Sequence, residues 1–534
     1  MDLFIYRIIA IVYITLILSL NGENQPSKCV CYKPNSEHDK ERPADNKCEI
    51  INHIIGELKF QDFDEHCVKG LETVIFVNTS IHKIEEGFFS NFTKMISLNM
   101  SQNQNIGPGI KDALYRINKK LEILKLDNIT MNDEILLEIH TLALFPPSLH
   151  TLSLRENKLT TFPMQWIQQL TNLTSLDLSQ SIHFRHIEVH DVNKSLPLTN
   201  LSVAFTGFFL KTLFKNESGD CVLPSLAYFN LERTFVNVST IDVPDNCFQN
   251  LTHLIIKHSI FEDGLYRNSF RYLKNLKWLS LSETFNIYQL PVMNMSLKGL
   301  EMNNLQFNFY PSSQNLHIFG NLSSLEHLEI QSLNPGNWSD SSMSDLLSPL
   351  QNLKYLDASN NNLSFMPTVI STMSKLETLI LSNNSIGVWH SIISGSQHTH
   401  LRTILLQNNE IEFVDVRYLP QNVTKLDLSG NPFLCTCDLV PFLIWVKENH
   451  LYTATLIKEW GTHYFCALPW NMRNLSLVKF NPKPTDCQPF NKYVITAMVL
   501  CCFMVLIVFV TNVVVCYKER TKKHNLKIRY KMKV

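Results

Sequence analysis

Residues 149–159 of this chain read LHTLSLRENKL, and this segment decides the fold. Leu149, Leu152, Leu154, Asn157 and Leu159 match the pattern LxxLxLxxNxL at every position. With Ala, Ile or Phe allowed in place of a leucine, the pattern recurs in units that begin at Leu353, Leu376, Leu401 and Val423. Looser copies begin at Leu71, Met95, Leu121, Leu173, Leu198, Leu226, Leu251, Leu276, Leu297 and Leu325. Together they make 15 units, spaced about 25 residues apart.

The spacing of the leucines predicts the structure of one unit. The central LxL is a short strand whose leucines point inward, while the residues around them face outward. The asparagine that follows bonds to the backbone of its own and the adjacent coil, because buried backbone groups need partners. One unit cannot bury its apolar face alone, so successive units stack. The pattern therefore predicts an α/β leucine-rich-repeat solenoid (horseshoe) over residues 71–433.

The asparagine position is occupied unevenly along the chain. Asparagine is present as Asn103, Asn157, Asn361, Asn384, Asn409 and Asn431. In the central units it is replaced, in chain order, by Ser181, Thr206, Thr234, Ser259, Thr284, Leu305 and Leu333. A hydroxyl can make some of an amide's hydrogen bonds, whereas leucine can make none. We expect altered curvature or twist in this central region; the alternative is sequence drift without structural consequence.

Cysteines mark the ends of the solenoid, where an open apolar face would otherwise meet water. Ten of the 13 cysteines precede the C-terminal apolar run, an even number that is typical of an exported chain. Cys221 and Cys247 precede repeat starts in adjacent units, which predicts a disulfide; a pair of buried free thiols is the alternative. Residues 23–70 are the predicted N-terminal cap, with three possible pairings among Cys29, Cys31, Cys48 and Cys67.

Two apolar segments place the chain in a membrane. Arg7 and the apolar run 8–18 predict a secretory signal peptide over residues 1–22. Residues 494–516 carry no charge and would form a helix of about 34 Å, against a hydrocarbon core of about 30 Å. Residues 517–534 are a short tail with eight basic side chains and one acid, which predicts a cytoplasmic location. The pattern indicates a single-pass type I membrane protein.

The charge of the exported part disfavours one class of ligand. Between the signal peptide and the tail, the chain carries 38 basic and 46 acidic residues, a formal charge of −8. A groove that follows a nucleic-acid backbone needs the opposite sign. Nucleic acid is therefore a less favoured ligand, although a local basic patch stays possible.

The segment after the last repeat carries a further motif. Residues 431–449 read NPFLCTCDLVPFLIWVKEN, and Trp460, Tyr464, Cys466 and Cys487 follow. This arrangement resembles the cysteine-rich cap of Toll-like receptors, in which CxC precedes an apolar helix, a tryptophan, a third cysteine in a YxC context and a fourth before the membrane. The resemblance implies that residues 434–490 form such a cap. It also implies the disulfides Cys435–Cys466 and Cys437–Cys487.

The chain resembles Toll-like receptors from its signal peptide to its basic juxtamembrane segment. The resemblance implies a pattern-recognition membrane protein of innate immunity that binds a microbial ligand through its repeats. It implies a homodimer or a heterodimer with another Toll-like receptor, at the plasma membrane or in an endosome. The alternative is a cell-adhesion or guidance membrane protein on the same scaffold, because a fold does not specify a function.

The cytoplasmic tail departs from that family. Toll-like receptors signal through a cytoplasmic TIR domain, and the 18 residues after the span are too few to bury a core. We therefore expect a decoy, a co-receptor or a truncated form. Such a chain would recruit no adaptor through a TIR domain of its own.

Seventeen N-x-S/T sequons precede the span, and the signal peptide exposes them to the glycosylation machinery. Asn99 and Asn200 fall on outward strand positions, where sugars would obstruct the concave face. We therefore expect ligand contact along a lateral edge of the solenoid. The predicted glycosylation sites are Asn78, Asn91, Asn99, Asn128, Asn172, Asn193, Asn200, Asn216, Asn237, Asn250, Asn294, Asn321, Asn337, Asn362, Asn383, Asn422 and Asn474.

We expect no enzyme activity, cofactor or metal site. The sequence holds no nucleophile elbow, phosphate-binding loop or HExxH motif. His183, His186 and His190 have a spacing that would suit a metal or a low-pH switch. No cysteine or carboxylate pattern accompanies them, so we expect exposed loop histidines instead.

Overall fold

The computed structural model describes residues 29, 31–32, 46–212, 214–244, 247–291, 296–305, 319–333, 339–387, 400–419, 422–448, 463–482 and 492–531. The chain folds as two compact units. The first runs to Glu410 and includes Arg417–Leu428, and the second comprises Ile411–Val416 and the chain from Ser429 onward. The predicted signal peptide lies outside the described residues.

A parallel sheet of 16 strands runs through the first unit, each strand lying beside the next one along the chain. Strands β2 to β16 each begin two residues after one of the 15 predicted repeat starts, which confirms the leucine-rich-repeat solenoid. The strands are β1 Lys47–Ile51, β2 Thr73–Val77, β3 Ser97–Asn99, β4 Ile123–Lys125, β5 Thr151–Ser153, β6 Ser175–Asp177, β7 Asn200–Ser202, β8 Tyr228–Asn230, β9 His253–Ile255, β10 Trp278–Ser280, β11 Gly299–Glu301, β12 His327–Glu329, β13 Tyr355–Asp357, β14 Thr378–Ile380, β15 Thr403–Leu405 and β16 Lys425–Asp427.

The first strand belongs to the N-terminal cap, and the repeat pattern does not predict it. Strand β1 pairs with β2 from Lys47 opposite Thr73 to Ile51 opposite Val77. Its sequence KCEII buries alternate residues, Cys48 and Ile50. The cap therefore covers the first repeat with a strand of its own, which gives β2 a hydrogen-bonding partner on both sides.

A ladder of asparagines closes the turns after the strands, as predicted. The Asn384 side chain is 7% exposed, and its Nδ2 donates to the carbonyls of Ala358 (3.1 Å) and Leu381 (2.9 Å). Its Oδ1 accepts from the backbone N–H groups of Asn361 and Leu363, both at 3.0 Å. One amide thus joins two successive turns by four hydrogen bonds. Asn103 and Asn157 make the same four contacts in their own repeats.

Hydroxyl groups make part of this network in the central repeats. Ser259 Oγ donates to the Leu231 carbonyl (2.7 Å) and accepts from the Thr234 N–H (3.1 Å). At the buried Leu333, the backbone N–H donates instead to Oδ1 of Asn361 in the next repeat, at 2.9 Å. The strand register is unbroken through these repeats. The expected change of curvature stays a prediction.

A second sheet forms in this same central region. Four repeats with a hydroxyl at the asparagine position each contribute another strand soon after it, and aromatic and β-branched residues there favour extended backbone. Its strands are Phe209–Leu210, Phe235–Val236, Ile260–Leu265 and Phe285–Ile287. Two smaller parallel pairs in the first unit are Glu57–Leu58 with Lys83–Ile84, and Thr161–Pro163 with His186–Glu188.

Short helices occupy the rest of the coil in several repeats. The α-helices of the first unit are α1 Glu65–Val68, α2 Ile110–Leu114, α3 Asp133–Thr141, α4 Val238–Ile241 and α5 Asp340–Leu347. Its 3₁₀ helices are Phe60–Asp62, Phe88–Asn91, Gly107–Gly109, Met164–Ile167, Thr368–Thr372 and Val416–Tyr418, the last of which crosses the boundary between the units.

The second unit holds the segment that resembles a receptor cap. Helix α6, Val440–Glu448, follows the CxC segment, and the strands Phe433–Leu434 and Cys466–Leu468 pair in parallel. Its 3₁₀ helices are Cys437–Leu439, Trp470–Met472 and Leu477–Lys479.

The last helix of the chain, α7, spans Lys492–Lys531 and contains the predicted span 494–516. Among the described residues, one helix is long and apolar enough to cross a membrane, at Thr496–Lys523, where the most apolar stretch of 18 residues has a mean hydropathy of 2.9. The helix continues without a break into the basic tail and ends at Lys531.

Candidate ligand-binding surface

The first residues of six adjacent strands form a row across the outward face of the sheet, and five of them are aromatic. The pairing register places these six residues side by side. In order from β8 to β13 they are Tyr228, His253, Trp278, Gly299, His327 and Tyr355. We call this row the aromatic stripe. The five rings are neither fully buried nor fully exposed, as expected of residues that contact a ligand.

The rings at one end of the stripe pack against one another. His327 and Tyr355 are stacked with 4.2 Å between ring centroids and 9° between planes. The Trp278 and His327 centroids are 4.9 Å apart, although Trp278 lies two strands away from His327. Trp278, His327 and Tyr355 thus make one continuous aromatic contact.

Glycine at position 299 makes room for the tryptophan. A Cβ atom on Gly299 would lie 2.1 Å from Cε3 of Trp278, closer than non-bonded carbon atoms can approach. The indole therefore lies across strand β11 and reaches His327 on β12. Any larger residue at 299 has to displace the indole ring.

A row of carboxylates accompanies the stripe on its three last strands. Glu301, Glu329 and Asp357 are aligned in register on β11, β12 and β13, each two residues after a member of the stripe. The Glu301 carboxylate accepts from Trp278 Nε1 (3.1 Å) and Ser280 Oγ (2.8 Å), and the Lys257 ammonium contacts it as well. These bonds fix the indole in place. We call Glu301, Glu329 and Asp357 the carboxylate row.

The other two carboxylates are also held by neighbouring side chains. Glu329 forms a hydrogen bond with His327 Nε2 (3.0 Å) and accepts one from Asn303 Nδ2 (2.6 Å). Asp357 accepts from Gln331 Nε2 at 2.8 Å. Hydrogen bonds to the row therefore hold Trp278 and His327, and Tyr355 is held by its stacking on His327.

The carboxylates make this surface negative. The hydrogen bond from His327 lowers the pKa of Glu329 below its ordinary value, so this group is ionised at neutral pH. Burial raises the pKa of Asp357. Burial raises the pKa of Tyr355 to about 12, and the negative charges of Asp357, Glu329 and Glu301 add to the shift.

Tyr355 should therefore ionise at a higher pH than an ordinary tyrosine, in an alkaline titration followed by tyrosinate absorbance. Tyr355→Phe should remove a step near pH 12, and Glu329→Gln should move that step toward the ordinary value of about 10 by removing a negative charge. Because the folded-state pKa is raised, the associated stability is complete below pH ~10 and is lost as the pH rises through the folded-state pKa. An unchanged titration of Tyr355→Phe above pH 11 would contradict the assignment.

One group in this network has the composition of a metal site. The ligand atoms of Glu301, His327 and Glu329 lie within 4.8 Å of one another. A lysine ammonium, an indole N–H and a hydroxyl already bind the Glu301 carboxylate, and an amide binds Glu329. A cation beside Glu301 would repel a metal ion, so the geometry fits a hydrogen-bonded network better than a metal centre.

The histidines singled out in the sequence do not come together as ligands. His183, His186 and His190 are exposed, and His186 opens a two-stranded pair with Thr161–Pro163. Among the described residues, the group of potential ligands that lies close enough for a metal is Glu301, His327 and Glu329.

Most of the stripe lies away from the sequons. Asn99 and Asn200 lie on β3 and β7, and strands β8 to β16 carry no sequon asparagine. Asn294 and Asn337 lie outside the described residues, and the other 15 sequon asparagines are all at least partly exposed. Use of these sites stays a prediction. A sugar on Asn200 would lie beside Tyr228, its register partner on β8, whereas Trp278, His327 and Tyr355 are three or more strands away from β7.

Four disulfides join described cysteines. Two lie in the N-terminal cap, where sequence reasoning left three pairings open. A third joins the adjacent repeats at Cys221 and Cys247, and the fourth lies in the C-terminal cap. The pairs are Cys29–Cys48, Cys31–Cys67, Cys221–Cys247 and Cys435–Cys466. Cys437 is also disulfide-bonded, and Cys487 lies outside the described residues, so the pairing Cys437–Cys487 stays a prediction.

Sequence reasoning pointed to the lateral edge and did not predict the stripe. The signal was present at the first outward position of successive repeats, which reads Tyr, His, Trp, Gly, His, Tyr from β8 to β13. Each of these residues is 21 to 28 positions from the next one along the chain. The pattern is therefore visible only when the repeats are aligned on their strands.

Comparison with known proteins agrees with this fold. The family model for the Leucine Rich Repeat matches residues 352–373, which contain β13. The chain therefore has a leucine-rich-repeat fold. The crystal structure of the mouse RP105/MD-1 complex shares the fold, with a TM-score of 0.52 and 16% identity over 81% of this chain and 77% of that one.

Two curated relatives are similar to parts of this chain of different length. Human CD180 antigen is 25% identical over 464 residues, which cover 79% of this chain and 67% of CD180. Trophoblast glycoprotein of Macaca fascicularis is 27% identical over 151 residues, 27% of this chain and 28% of that protein. The chain thus spans about two thirds of the first relative and under a third of the second.

A shorter match reaches the family that the C-terminal cap resembles. Toll-like receptor 4 of Felis catus is 33% identical over 104 residues, which cover 20% of this chain and 11% of that receptor. Together with the candidate membrane helix, these similarities support a leucine-rich-repeat membrane receptor.

Proposed function

We propose that this chain is a Toll-like-receptor-type membrane protein of innate immunity and that its microbial ligand binds on the aromatic stripe. The supporting observation is an aromatic and carboxylate surface that continues over six adjacent strands and carries no sequon. Tryptophan and tyrosine supply large contact areas at a low cost in side-chain entropy, which is why they dominate binding energies at protein interfaces. Here hydrogen bonds to Glu301 and Glu329 hold Trp278 and His327 in place before any ligand arrives, and Tyr355 stacks on His327.

The charge of the surface narrows the chemistry of the ligand. Three carboxylates lie beside the rings, and Lys257 neutralises one of them. Phosphates would be repelled, whereas a cationic group would be attracted both by the carboxylates and by the faces of the rings. We therefore favour a ligand that presents lysine or arginine side chains over a nucleic acid or an anionic lipid headgroup.

The proposal includes a partner chain and a place of action. The mouse RP105 structure contains a second protein, MD-1. We propose that this chain likewise acts in an assembly, with a second copy or with another repeat receptor. The acidic exported part, with its negative binding surface, favours the plasma membrane over an endosome that captures nucleic acids.

Two alanine variants test where the ligand binds. Cells that display the full-length chain are screened with labelled microbial proteins, lipids and nucleic acids. Any ligand found is then titrated against Trp278→Ala and Tyr355→Ala. Each variant should weaken binding about thirtyfold, because truncation of a central aromatic anchor costs about 2 kcal/mol or more. Thr403→Ala, at the same outward position on β15, is the matched control and should change binding less than about twofold.

The outcomes separate the proposal from the second candidate. A ligand that binds the two stripe variants as tightly as the parent would place the site elsewhere, for instance along the lateral edge. Binding to a surface protein of a neighbouring cell, without any microbial ligand, would favour an adhesion or guidance protein.

A further inference from the structure

Six of the predicted glycosylation sites have a phenylalanine two residues before the asparagine. Phe235, which precedes Asn237, is 44% exposed, whereas the other five phenylalanines are at most 3% exposed. The buried five are Phe76, Phe89, Phe214, Phe248 and Phe319. Residues 235–239 read FVNVS and residues 76–80 read FVNTS, so the sequence hardly distinguishes these two sites. The fold distinguishes them, because it leaves an aromatic ring open to solvent beside one sequon of the six.

Phe235 and Asn237 lie on the same face of the second sheet. The backbone stays extended at Asn237 (φ −93°, ψ 109°), and Val236 between the two residues is fully buried. Side chains two positions apart on extended backbone point to the same side. The Asn237 amide therefore projects from the face that carries the Phe235 ring.

Hydrogen bonds fix the backbone around this asparagine. The Asn237 N–H donates to the Leu210 carbonyl on the adjacent strand, at 3.1 Å. The Asp263 carboxylate accepts from the backbone N–H groups of Val238 and Ser239, both at 2.7 Å. Within the described part of the chain, Asn237 Oδ1 accepts from Ser239 Oγ, and Asn237 Nδ2 makes no hydrogen bond. The nitrogen that a glycan would modify is thus held in place and left available.

Phe235 belongs to an apolar row that the protein leaves open. The row consists of the first residues of the four strands, which pair in register as Phe209, Phe235, Ile260 and Phe285. The last three are 36–44% exposed. The Phe209 ring lies edge-on to Phe235 with 6.4 Å between centroids, and the Lys211 ammonium covers it at 5.3 Å. Exposed apolar side chains in a continuous patch favour a covering group, and at Phe235 the chain carries an attachment point for one.

We propose that the first N-acetylglucosamine of a glycan on Asn237 packs against the Phe235 ring and covers it. One face of this sugar ring carries C–H groups, which are slightly positive and are attracted to the negative face of an aromatic ring. The hydroxyl groups lie along the rim of the sugar and stay in water. The glycan then stabilises the strand Phe235–Val236, in addition to making the surface more soluble. This inference requires export of the repeats and does not depend on any particular ligand.

Removal of the sequon tests the contact. Ser239→Ala prevents glycosylation of Asn237, whereas Ser239→Thr retains the sequon. The full-length variants are purified from cells, the occupancy of Asn237 is measured by glycopeptide mass spectrometry, and amide hydrogen exchange is followed in residues 228–241. Ser239→Ala should accelerate exchange in this segment about 3- to 10-fold, the range for one ring contact, and Ser239→Thr should leave it unchanged. Trimming with an endoglycosidase that leaves one N-acetylglucosamine should also leave it unchanged, because the first sugar makes the contact.

Two controls separate the ring contact from other effects of a sugar. In a Phe235→Ala background, Ser239→Ala should change exchange less than about twofold, because both substitutions remove the same contact. Ser80→Ala removes the sequon at Asn78, where Phe76 is buried, and should change exchange in β2 less than about twofold. The proposal would be overturned by an unmodified Asn237 in the parent chain, by faster exchange after trimming, by an undiminished effect in the Phe235→Ala background, or by an equal effect of Ser80→Ala on β2.

Discussion

Replacement of Asn384 with alanine should lower the free energy of unfolding by about 3 to 5 kcal/mol. The substitution removes the four hydrogen bonds described above and a longer one to the Ser382 carbonyl (3.3 Å). It leaves the N–H groups of Asn361 and Leu363 buried without these partners, whereas the Ala358 and Leu381 carbonyls keep hydrogen bonds from Asn361 and Asn409. The loss should be measured by denaturant titration, together with the fraction of correctly exported protein.

An exposed asparagine provides the control for this prediction. Asn275 donates one hydrogen bond to the Gln249 carbonyl (2.8 Å) and is exposed, so water replaces that bond when the side chain is removed. Asn275→Ala should cost less than about 1 kcal/mol. If the two variants lost similar amounts of stability, the ladder could not be a main source of cohesion between repeats.

Replacement of Gly299 with valine should dismantle the stripe while leaving the repeats folded. The new Cβ would overlap the Trp278 ring, which must leave its place between Glu301 and His327. We expect an overpacking cost of about 1 to 3 kcal/mol. Near-ultraviolet circular dichroism and tryptophan fluorescence should change, and binding of any ligand of the stripe should fall at least as far as in Trp278→Ala.

A second glycine and a double variant separate the ring clash from a backbone effect. A Cβ on Gly109 would have nothing within 4 Å, so Gly109→Val should leave the aromatic spectra unchanged. With Trp278→Ala present, Gly299→Val should cost much less stability, because the two effects share one contact. A full cost in the double variant would show that the glycine is needed for the strand itself.

The repeat architecture follows from local chemistry, which is why the sequence predicts it well. Each unit carries its own leucines and turn residue, and all 15 predicted starts precede a strand by two residues. The membrane helix is likewise a property of one continuous segment. Strand β1 was not predicted because it lies before the first repeat and does not carry the repeat pattern.

The outward face obeys no such local rule. The solenoid requires leucine at the buried positions and accepts almost any residue beside them. Trp278 or Tyr355, considered in its own repeat, therefore does not indicate a binding surface. Their meaning depends on the stacking of repeats, which brings residues from distant parts of the chain within ring-contact distance. Gly299 shows this most directly, because its lack of a side chain matters only to an indole on the neighbouring strand.

The amino-acid sequence alone thus determines the repeated strand, the asparagine ladder and the membrane-spanning segment, because each depends on residues a few positions apart. The tertiary structure alone decides the aromatic stripe and the carboxylate row, together with the network that joins them. Because the strands pair in parallel and in register, residues that are one repeat apart in the sequence lie on neighbouring strands, about 4.8 Å apart in space. At that distance rings stack and carboxylates act together on one phenol, which no single repeat can produce.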